Sequence, residues 1–111
     1  MGEFVDIAGV NDLPVGRTRT VSVGDRRIAL CRTAKGFFAL DNTCPHRGGP
    51  LGDGDLIADE LICPWHLWGF DVASGTCLGN REVSVLTHEV KIESDRVLVR
   101  MSPKREIPEQ M

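Results

Sequence analysis

Two short cysteine–histidine pairs constrain this chain more than any other feature of its sequence. The first is Cys44-Pro45-His46, and the second, after sixteen intervening residues, is Cys63-Pro64-Trp65-His66. Two thiolates and two imidazoles form a ligand set suited to a soft or borderline metal. Structural zinc is the generic interpretation, but zinc ligand pairs usually have two to four residues between them, and the first pair here has only one. A binuclear cluster accommodates the short gap, because the two ligands of one loop need not converge on the same ion.

The segments on either side of these pairs alternate between apolar and polar residues. Alternation with a period of two predicts antiparallel strands. The predicted strands are residues 4–7, 20–23, 27–31, 37–40, 88–93 and 96–100, with turns at Gly24-Asp25, Lys35-Gly36 and Ser94-Asp95. Strands this short, separated by frequent turn signals, predict an all-β sandwich or barrel.

The middle of the chain has a different composition. Residues 42–81 contain seven of the 12 glycines, three of the six prolines and three of the four cysteines. This stretch predicts loops that are held by something other than a hydrophobic core. We therefore expect a single domain over residues 1–111, since this length leaves no room for a second. It should have a basal β part from 1–41 and 82–102, a cluster-binding subdomain from 42–81 and a flexible tail from 103–111.

The loop residues resemble a known signature. C-x-H-x-G, formed by residues 44–48, followed by C-P-x-H, formed by residues 63–66, is similar to the motif of Rieske [2Fe-2S] proteins. The resemblance extends over most of the chain and implies a Rieske-type antiparallel β-sandwich with one [2Fe-2S] cluster. It also implies that Cys44 and Cys63 bind one iron and that His46 and His66 bind the other.

Histidine ligation has an electrostatic consequence for such a cluster. The charges of two ferric ions, two sulfides and two thiolates cancel, so the oxidised cluster is formally neutral. Adding an electron then meets less repulsion than in an all-cysteine cluster, and Rieske potentials span about −150 to +300 mV. We expect the electron to reside on the histidine-bound iron. The resemblance implies that the imidazoles reach the surface, so the electron should leave through the tip that carries His46 and His66.

The position of this chain within that range depends on the residues around the ligands. High-potential Rieske proteins of respiratory complexes have an extra cysteine in each loop, and these form a disulfide; the matching residues here are Gly49 and Trp65. Those proteins also place hydrogen-bond donors at the positions of Trp68 and Phe70; here Phe70 cannot donate, and Trp68 has a single N–H whose direction the sequence does not give. Fewer donors to sulfur stabilise the reduced state less, which predicts a potential at the low end.

This combination resembles the soluble ferredoxin components of bacterial aromatic-ring-hydroxylating dioxygenase systems. The resemblance implies a one-electron carrier that receives electrons from a flavin reductase and delivers them to a terminal oxygenase, with no catalytic residues of its own. One alternative is the small subunit of an assimilatory nitrite reductase or of another multicomponent oxidoreductase, which genomic neighbours would reveal. Another is a zinc-stabilised interaction module, which would be colourless.

Charge and hydropathy exclude several other classes. The net charge is −3 and no basic cluster stands out, which argues against a nucleic-acid partner. No apolar run approaches the length of a membrane span, and the first residues do not resemble a secretory signal, so we expect a cytoplasmic protein. Residues 41–81 hold six acids and two bases, which is either ordinary solvated surface or a zone that steers docking.

The remaining cysteines and the third histidine have simpler interpretations. Cys31 lies in a predicted strand and should be a buried thiol. We expect Cys77 to fill a small apolar space, and a disulfide between these two is disfavoured in a reducing compartment. His88 opens a strand and is predicted to be exposed.

Large and small side chains around the ligands carry further expectations. Trp65, Leu67 and Trp68 should either shield the cluster from water or form a rim for a docking partner. Pro45 and Pro64 should fix the loop path and leave neighbouring backbone amides free to point at sulfur. Four glycines are expected to supply positive φ angles and close approach to the cluster: Gly48, Gly49, Gly52 and Gly54.

Overall fold

The computed structural model describes residues 2–45, 48–65 and 67–104. His46, Arg47, His66 and most of the predicted tail therefore lie outside the described residues. The described part contains nine β-strands: β1 (Val5–Gly9), β2 (Arg17–Val23), β3 (Arg26–Thr33), β4 (Gly36–Asp41), β5 (Asp55–Ile57), β6 (Glu60–Ile62), β7 (Gly69–Asp71), β8 (Thr87–Glu93) and β9 (Arg96–Arg100). Short 3₁₀ turns occur at Val10–Asp12 and Leu51–Asp53. Over these same ranges, no helix is long and apolar enough to cross a membrane.

Six strands form one antiparallel sheet in the order β1-β9-β8-β4-β3-β2. Its two halves are joined by a short pairing between β4 and β8, at Ala39–His88 and Leu40–Thr87. The edge strands β1 and β2 come back into contact, so the sheet folds over on itself and buries Leu30 and Val97 between its halves. The prediction of an all-β antiparallel fold is confirmed.

The predicted hairpin turns lie where the sequence indicated. Gly24 has a φ of +64° between β2 and β3, and Gly36 has a φ of +138° at the start of β4. Ser94 and Asp95 both have positive φ, of 50° and 65°, between β8 and β9. Two consecutive residues with positive φ match the type I′ geometry that suits the twist of paired strands.

The prediction that residues 42–81 are loops without a hydrophobic core is wrong. They contain a second antiparallel sheet in the order β5-β6-β7, whose Leu61 and Phe70 are fully buried. These two side chains share one core with Ala29 and Leu40 of the larger sheet. Strands of three residues are too short to show a period of two, which is why the sequence pattern did not reveal them.

The prediction that His88 is exposed is also wrong. Its side chain is fully buried, and its Nε2 lies 2.8 Å from Oδ1 of Asp41. The backbone N–H of Ser102 donates to His88 Nδ1 at 3.0 Å, so Nε2 carries the hydrogen and donates to the carboxylate. His88 and Val90 lie on the same inward face of β8. Both ring nitrogens of His88 have hydrogen-bond partners, as buried polar groups require.

The predictions for Cys31 and Cys77 are confirmed. Both are buried free thiols, and each packs in the core that the two sheets share. Cys31 lies 3.3 Å from the hydroxyl oxygen of Thr18. Burial raises the pKa of the Cys31 thiol to about 11, which keeps it protonated and unreactive near neutral pH.

Candidate metal centre

The two cysteine–histidine pairs lie in two loops of the same construction. We name residues 44–49 loop 1 and residues 63–68 loop 2. Each begins with a cysteine whose backbone N–H donates to a carbonyl five residues later: Cys44 to Gly49 at 2.9 Å, and Cys63 to Trp68 at 2.8 Å. Equal spacing and equal closure present the two cysteine side chains in equivalent positions at the heads of the loops.

Loop 1 is anchored through the residues that precede and follow it. Thr43 and Pro50 form a β-bridge across its base. The side-chain Oδ1 of buried Asn42 accepts hydrogen bonds from the Gly52 N–H at 2.7 Å and from the Thr20 hydroxyl at 3.1 Å. A side chain at Gly52 would collide with Thr20 and Asn42, so the chain leaves loop 1 along a path that only glycine permits.

Loop 2 joins two paired strands of the small sheet. Ile62, at the end of β6, pairs with Gly69, at the start of β7, and loop 2 closes this hairpin. Gly54 packs directly against the carbonyl of Ile62. The β6–β7 hairpin therefore fixes the orientation of Cys63, and the chain segment that follows loop 1 supports it.

The Cys44 and Cys63 thiols are neighbours in the core beneath the loops. Each residue is only 1% exposed. Burial raises the pKa of the Cys63 thiol, the N–H of Trp65 partly offsets this by donating to Cys63 Sγ at 3.4 Å, and the adjacent Cys44 thiol raises it further. A bound cation would stabilise both thiolates and thereby favour release of their protons to solvent, which couples metal binding to deprotonation.

The N–H of Trp65 donates to the Cys63 sulfur; the sequence predicted that backbone amides beside the loop prolines could point at sulfur, but not which amide does so. Sequence comparison drew attention to side chains at positions 68 and 70, yet Phe70 is fully buried in the core and cannot donate. The donor belongs to the backbone, so no side-chain pattern could have identified it. Pro64 lacks an N–H, and the next amide along the chain points at sulfur, as was expected of the loop prolines.

The predicted roles of the four loop glycines are only partly confirmed. Gly48 has a φ of +79°, whereas Gly49, Gly52 and Gly54 do not have positive φ. A Cβ at Gly49 would lie 2.8 Å from Cys63 Sγ, so this glycine does permit close approach at the site. Gly52 and Gly54 instead approach other parts of the protein, because their tight contacts are with Thr20, Asn42 and Ile62.

Loop 2 exposes two large apolar side chains. Trp65 is 48% exposed and Leu67 is 71% exposed, and Leu67 has a φ of +56°, which is unusual for a branched side chain. Trp68 is half-buried and packs on the core. An open hollow of about 520 Å³ adjoins Leu67 and Trp68. Trp68 therefore covers the core, whereas Leu67 faces solvent, where a partner could contact it.

Several of the six acidic residues in 41–81 interact with groups of the protein itself, so fewer of them could steer a docking partner than the composition indicated. Asp41 pairs with His88, Asp59 forms a salt bridge with Lys35 at 3.0 Å, and the Ser74 N–H lowers the pKa of Asp71. Asp53 and Asp55 are exposed. These two carboxylates are the acidic groups of this region best placed to act on an approaching partner.

The donors that the structure describes fit a thiolate metal centre. They supply two adjacent sulfurs and a backbone N–H aimed at one of them, and Gly49 leaves room beside Cys63. Within residues 2–45, 48–65 and 67–104, no group of three histidine, cysteine or acidic side chains is arranged to hold an ion. The assignment of His46 and His66 as the other ligands falls outside the described residues and stays a prediction.

Comparison with known proteins gives a consistent family. Residues 3–94 match the model of the Rieske [2Fe-2S] domain. The ferredoxin component of the naphthalene 1,2-dioxygenase/salicylate 5-hydroxylase systems of Ralstonia sp. is 35% identical over 99 residues, which cover 88% of this chain and 95% of that protein. A chain from the complex of reduced oxygenase and oxidised ferredoxin in carbazole 1,9a-dioxygenase superposes with a TM-score of 0.80 at 29% identity, covering 86% of this chain and 99% of that one.

The fold is shared more widely. A protein described as the small subunit of an NADH-dependent nitrite reductase from Mycobacterium tuberculosis superposes with a TM-score of 0.83 at 22% identity, covering 94% of this chain and 99% of that one. Identity at this level shows only a common fold. The match to the family model and the identity with the Ralstonia ferredoxin component show a closer relationship. The chain belongs to the Rieske [2Fe-2S] domain family and is a ferredoxin that carries one Rieske-type [2Fe-2S] cluster.

Proposed function

We propose that this protein is the ferredoxin of an oxygenase system, taking single electrons from a flavin-dependent ferredoxin reductase and passing them to a terminal oxygenase. When bound, the cluster supplies a one-electron redox couple. The observation that carries the proposal is the pair of like-built loops that bring the Cys44 and Cys63 thiols together in the core. An oxygenase partner is supported by relatives whose names place them in dioxygenase systems.

The proposed ligands are Cys44 and Cys63 on one iron and His46 and His66 on the other. We also propose that residues 42–81 act as a cluster-binding subdomain on a base formed by 1–41 and 82–102. The β5-β6-β7 sheet lies wholly within the first range and supports loop 2 directly. A cytoplasmic location is part of the proposal, because the free thiols of the two cysteines outside the site, Cys31 and Cys77, are typical of reducing compartments.

Reconstitution tests the electron-carrier function. The holoprotein is mixed with NADH and the flavin reductase encoded near it, and then with the candidate oxygenase and its substrate. We expect reduction by one electron per chain and product formation that requires this protein. Failure of every flavin reductase to reduce it, or electron delivery to a nitrite reductase instead, would contradict the proposal.

The four cysteines provide a matched test of the ligand assignment. All four are buried free thiols, so serine substitution makes a similar chemical change at each. We expect Cys44→Ser and Cys63→Ser to lose the visible absorption and most of the iron, while Cys31→Ser and Cys77→Ser keep about two irons and two sulfides per folded chain. Loss of iron in all four variants to the same extent would show that burial, and not ligation, determines the result.

A further inference from the structure

The indole of Trp65 lies against the backbone of the opposite loop. A Cβ built on Gly49 of loop 1 would lie 3.0 Å from both Cγ and Cδ2 of Trp65, in loop 2, and 2.8 Å from Cys63 Sγ. The indole, Gly49 and the Cys63 sulfur therefore meet at one point. Contacts of this kind are too short to accommodate a side chain at position 49 without displacing the ring.

Both partners in this contact are tied directly to a cluster cysteine. The carbonyl of Gly49 accepts the N–H of Cys44 at 2.9 Å. The N–H of Trp65 donates to Cys63 Sγ at 3.4 Å. A displacement of the ring from Gly49 would therefore disturb the hydrogen bond between Gly49 and Cys44 and the hydrogen bond between Trp65 and Cys63.

Each loop is closed by its own hydrogen bond between its first and last residues, which fixes its internal shape but not its distance from the other loop. A cluster shared between two loops requires that distance to be constant. The Trp65 ring spans the gap, and the residue as a whole is 48% exposed, so about half of its surface is buried. Aromatic rings contribute large contact areas at small cost in conformational entropy, so this residue is suited to hold two loops together.

We propose that Trp65 is a positioning residue that clamps loop 2 onto loop 1 by packing its indole on Gly49, and that it thereby retains the cluster and shields the Cys63 sulfur from water. The proposal rests on the assignment of Cys44 and Cys63 as ligands. It also explains why position 49 is glycine. The clamp is non-covalent.

Iron release to a chelator from the oxidised holoprotein tests the clamp. Groups that orient metal ligands typically contribute about 10–100-fold to metal affinity, so we expect Trp65→Ala to release iron about 10–100-fold faster. Trp65→Phe keeps a ring over Gly49 and should recover most of the retention. Leu67→Ala is the matched control, since it also removes a large apolar side chain from loop 2. Leu67 is 71% exposed, so this variant should release iron at the wild-type rate.

A second substitution probes the same contact from loop 1. Gly49→Ala places a Cβ 3.0 Å from the Trp65 ring and 2.8 Å from Cys63 Sγ, so it should accelerate release in the same direction. In the double variant only the part that acts through the ring is shared, so the combined effect should be smaller than the product of the two single effects. We expect both single variants to broaden or shift the electron paramagnetic resonance signal of the reduced protein, which a general loss of stability would not do. Where Trp65→Ala accumulates no holoprotein, Trp65→Phe and Gly49→Ala provide the comparison.

Three outcomes would overturn the clamp. The first is a wild-type release rate and spectrum in Trp65→Ala, and the second is an equal acceleration of release in Leu67→Ala. The third is an effect of Trp65→Ala confined to electron transfer with the oxygenase, which would make the ring a docking contact. Iron and sulfide content measured on the same samples distinguishes failure of the clamp from failure of the ligand assignment. If the clamp alone is wrong, Trp65→Ala retains about two irons and two sulfides per chain with wild-type kinetics.

Discussion

All four cysteines belong to the buried core that the two sheets share, yet we assign them different roles. Cys31 and Cys77 act there as small apolar groups. Cys44 and Cys63 face each other at the heads of two loops, and the Cys63 sulfur accepts the Trp65 N–H. Burial alone therefore does not separate ligands from core residues, whereas the position of each cysteine beside a proline and a histidine does.

The raised pKa of Cys31 predicts a specific loss of stability at high pH. The thiol titrates at about 11 in the folded protein against 9.0 as its ordinary value, so its contribution is complete below pH 9 and is lost as the pH rises toward 11. Between these values the unfolded chain releases the proton first, which lowers the free energy of unfolding by about 2 kcal/mol near pH 10.5. We expect Cys31→Ala to lack this part of the loss in denaturant unfolding compared at pH 8 and 10.5. Equal losses in both proteins would contradict it.

At the scale of elements, the site is built from two hairpin-like loops held by short strands. The longer alternating strands could be predicted from the sequence because a period of two becomes visible over about four residues or more. β5, β6 and β7 have three residues each, and they form because Leu61 and Phe70 bury themselves against the larger sheet. Their existence depends on tertiary packing, which local patterns do not encode.

Asn42 is predicted to be the main polar anchor of loop 1. Its side chain accepts hydrogen bonds from Gly52 and Thr20, and Asn42→Ala would leave the buried Gly52 N–H without this acceptor. An unsatisfied buried donor costs about 1–3 kcal/mol, which should appear as a lower free energy of unfolding and faster iron release. The control is Asn80→Ala, which removes an exposed asparagine that accepts the Glu82 N–H at 3.1 Å. A loss in the control as large as in Asn42→Ala would remove the special role of the anchor.

At the scale of the whole molecule, one core joins the folded-over sheet to the sheet that carries loop 2. Leu40, Leu61 and Phe70 pack together across that boundary, so the cluster loops rest on a rigid base. Family, cluster and general fold could be predicted from two loop motifs. The burial of His88 could not be predicted in this way. It depends on Asp41 and Ser102, which are both distant in sequence and reach His88 only in the folded chain.

The environment of the cysteines predicts a reduction potential at the low end of the Rieske range, which spans about −150 to +300 mV. The described hydrogen bond to the Cys63 sulfur comes from a backbone N–H at 3.4 Å, and Phe70 offers no donor. Fewer donors leave more negative charge uncompensated on reduction. A spectroscopic redox titration of the holoprotein measures the midpoint, and a strongly positive value would contradict this interpretation.

The ligand assignment is tested most directly by electron–nuclear double resonance on the reduced protein labelled with ¹⁵N only in histidine. The chain has three histidines, and we expect coupling to two histidine nitrogens, lost stepwise in His46→Ala and His66→Ala and unchanged in His88→Gln. Coupling to no histidine, or loss of coupling in His88→Gln, would contradict the assignment. A single metal ion in place of two irons would contradict the cluster itself.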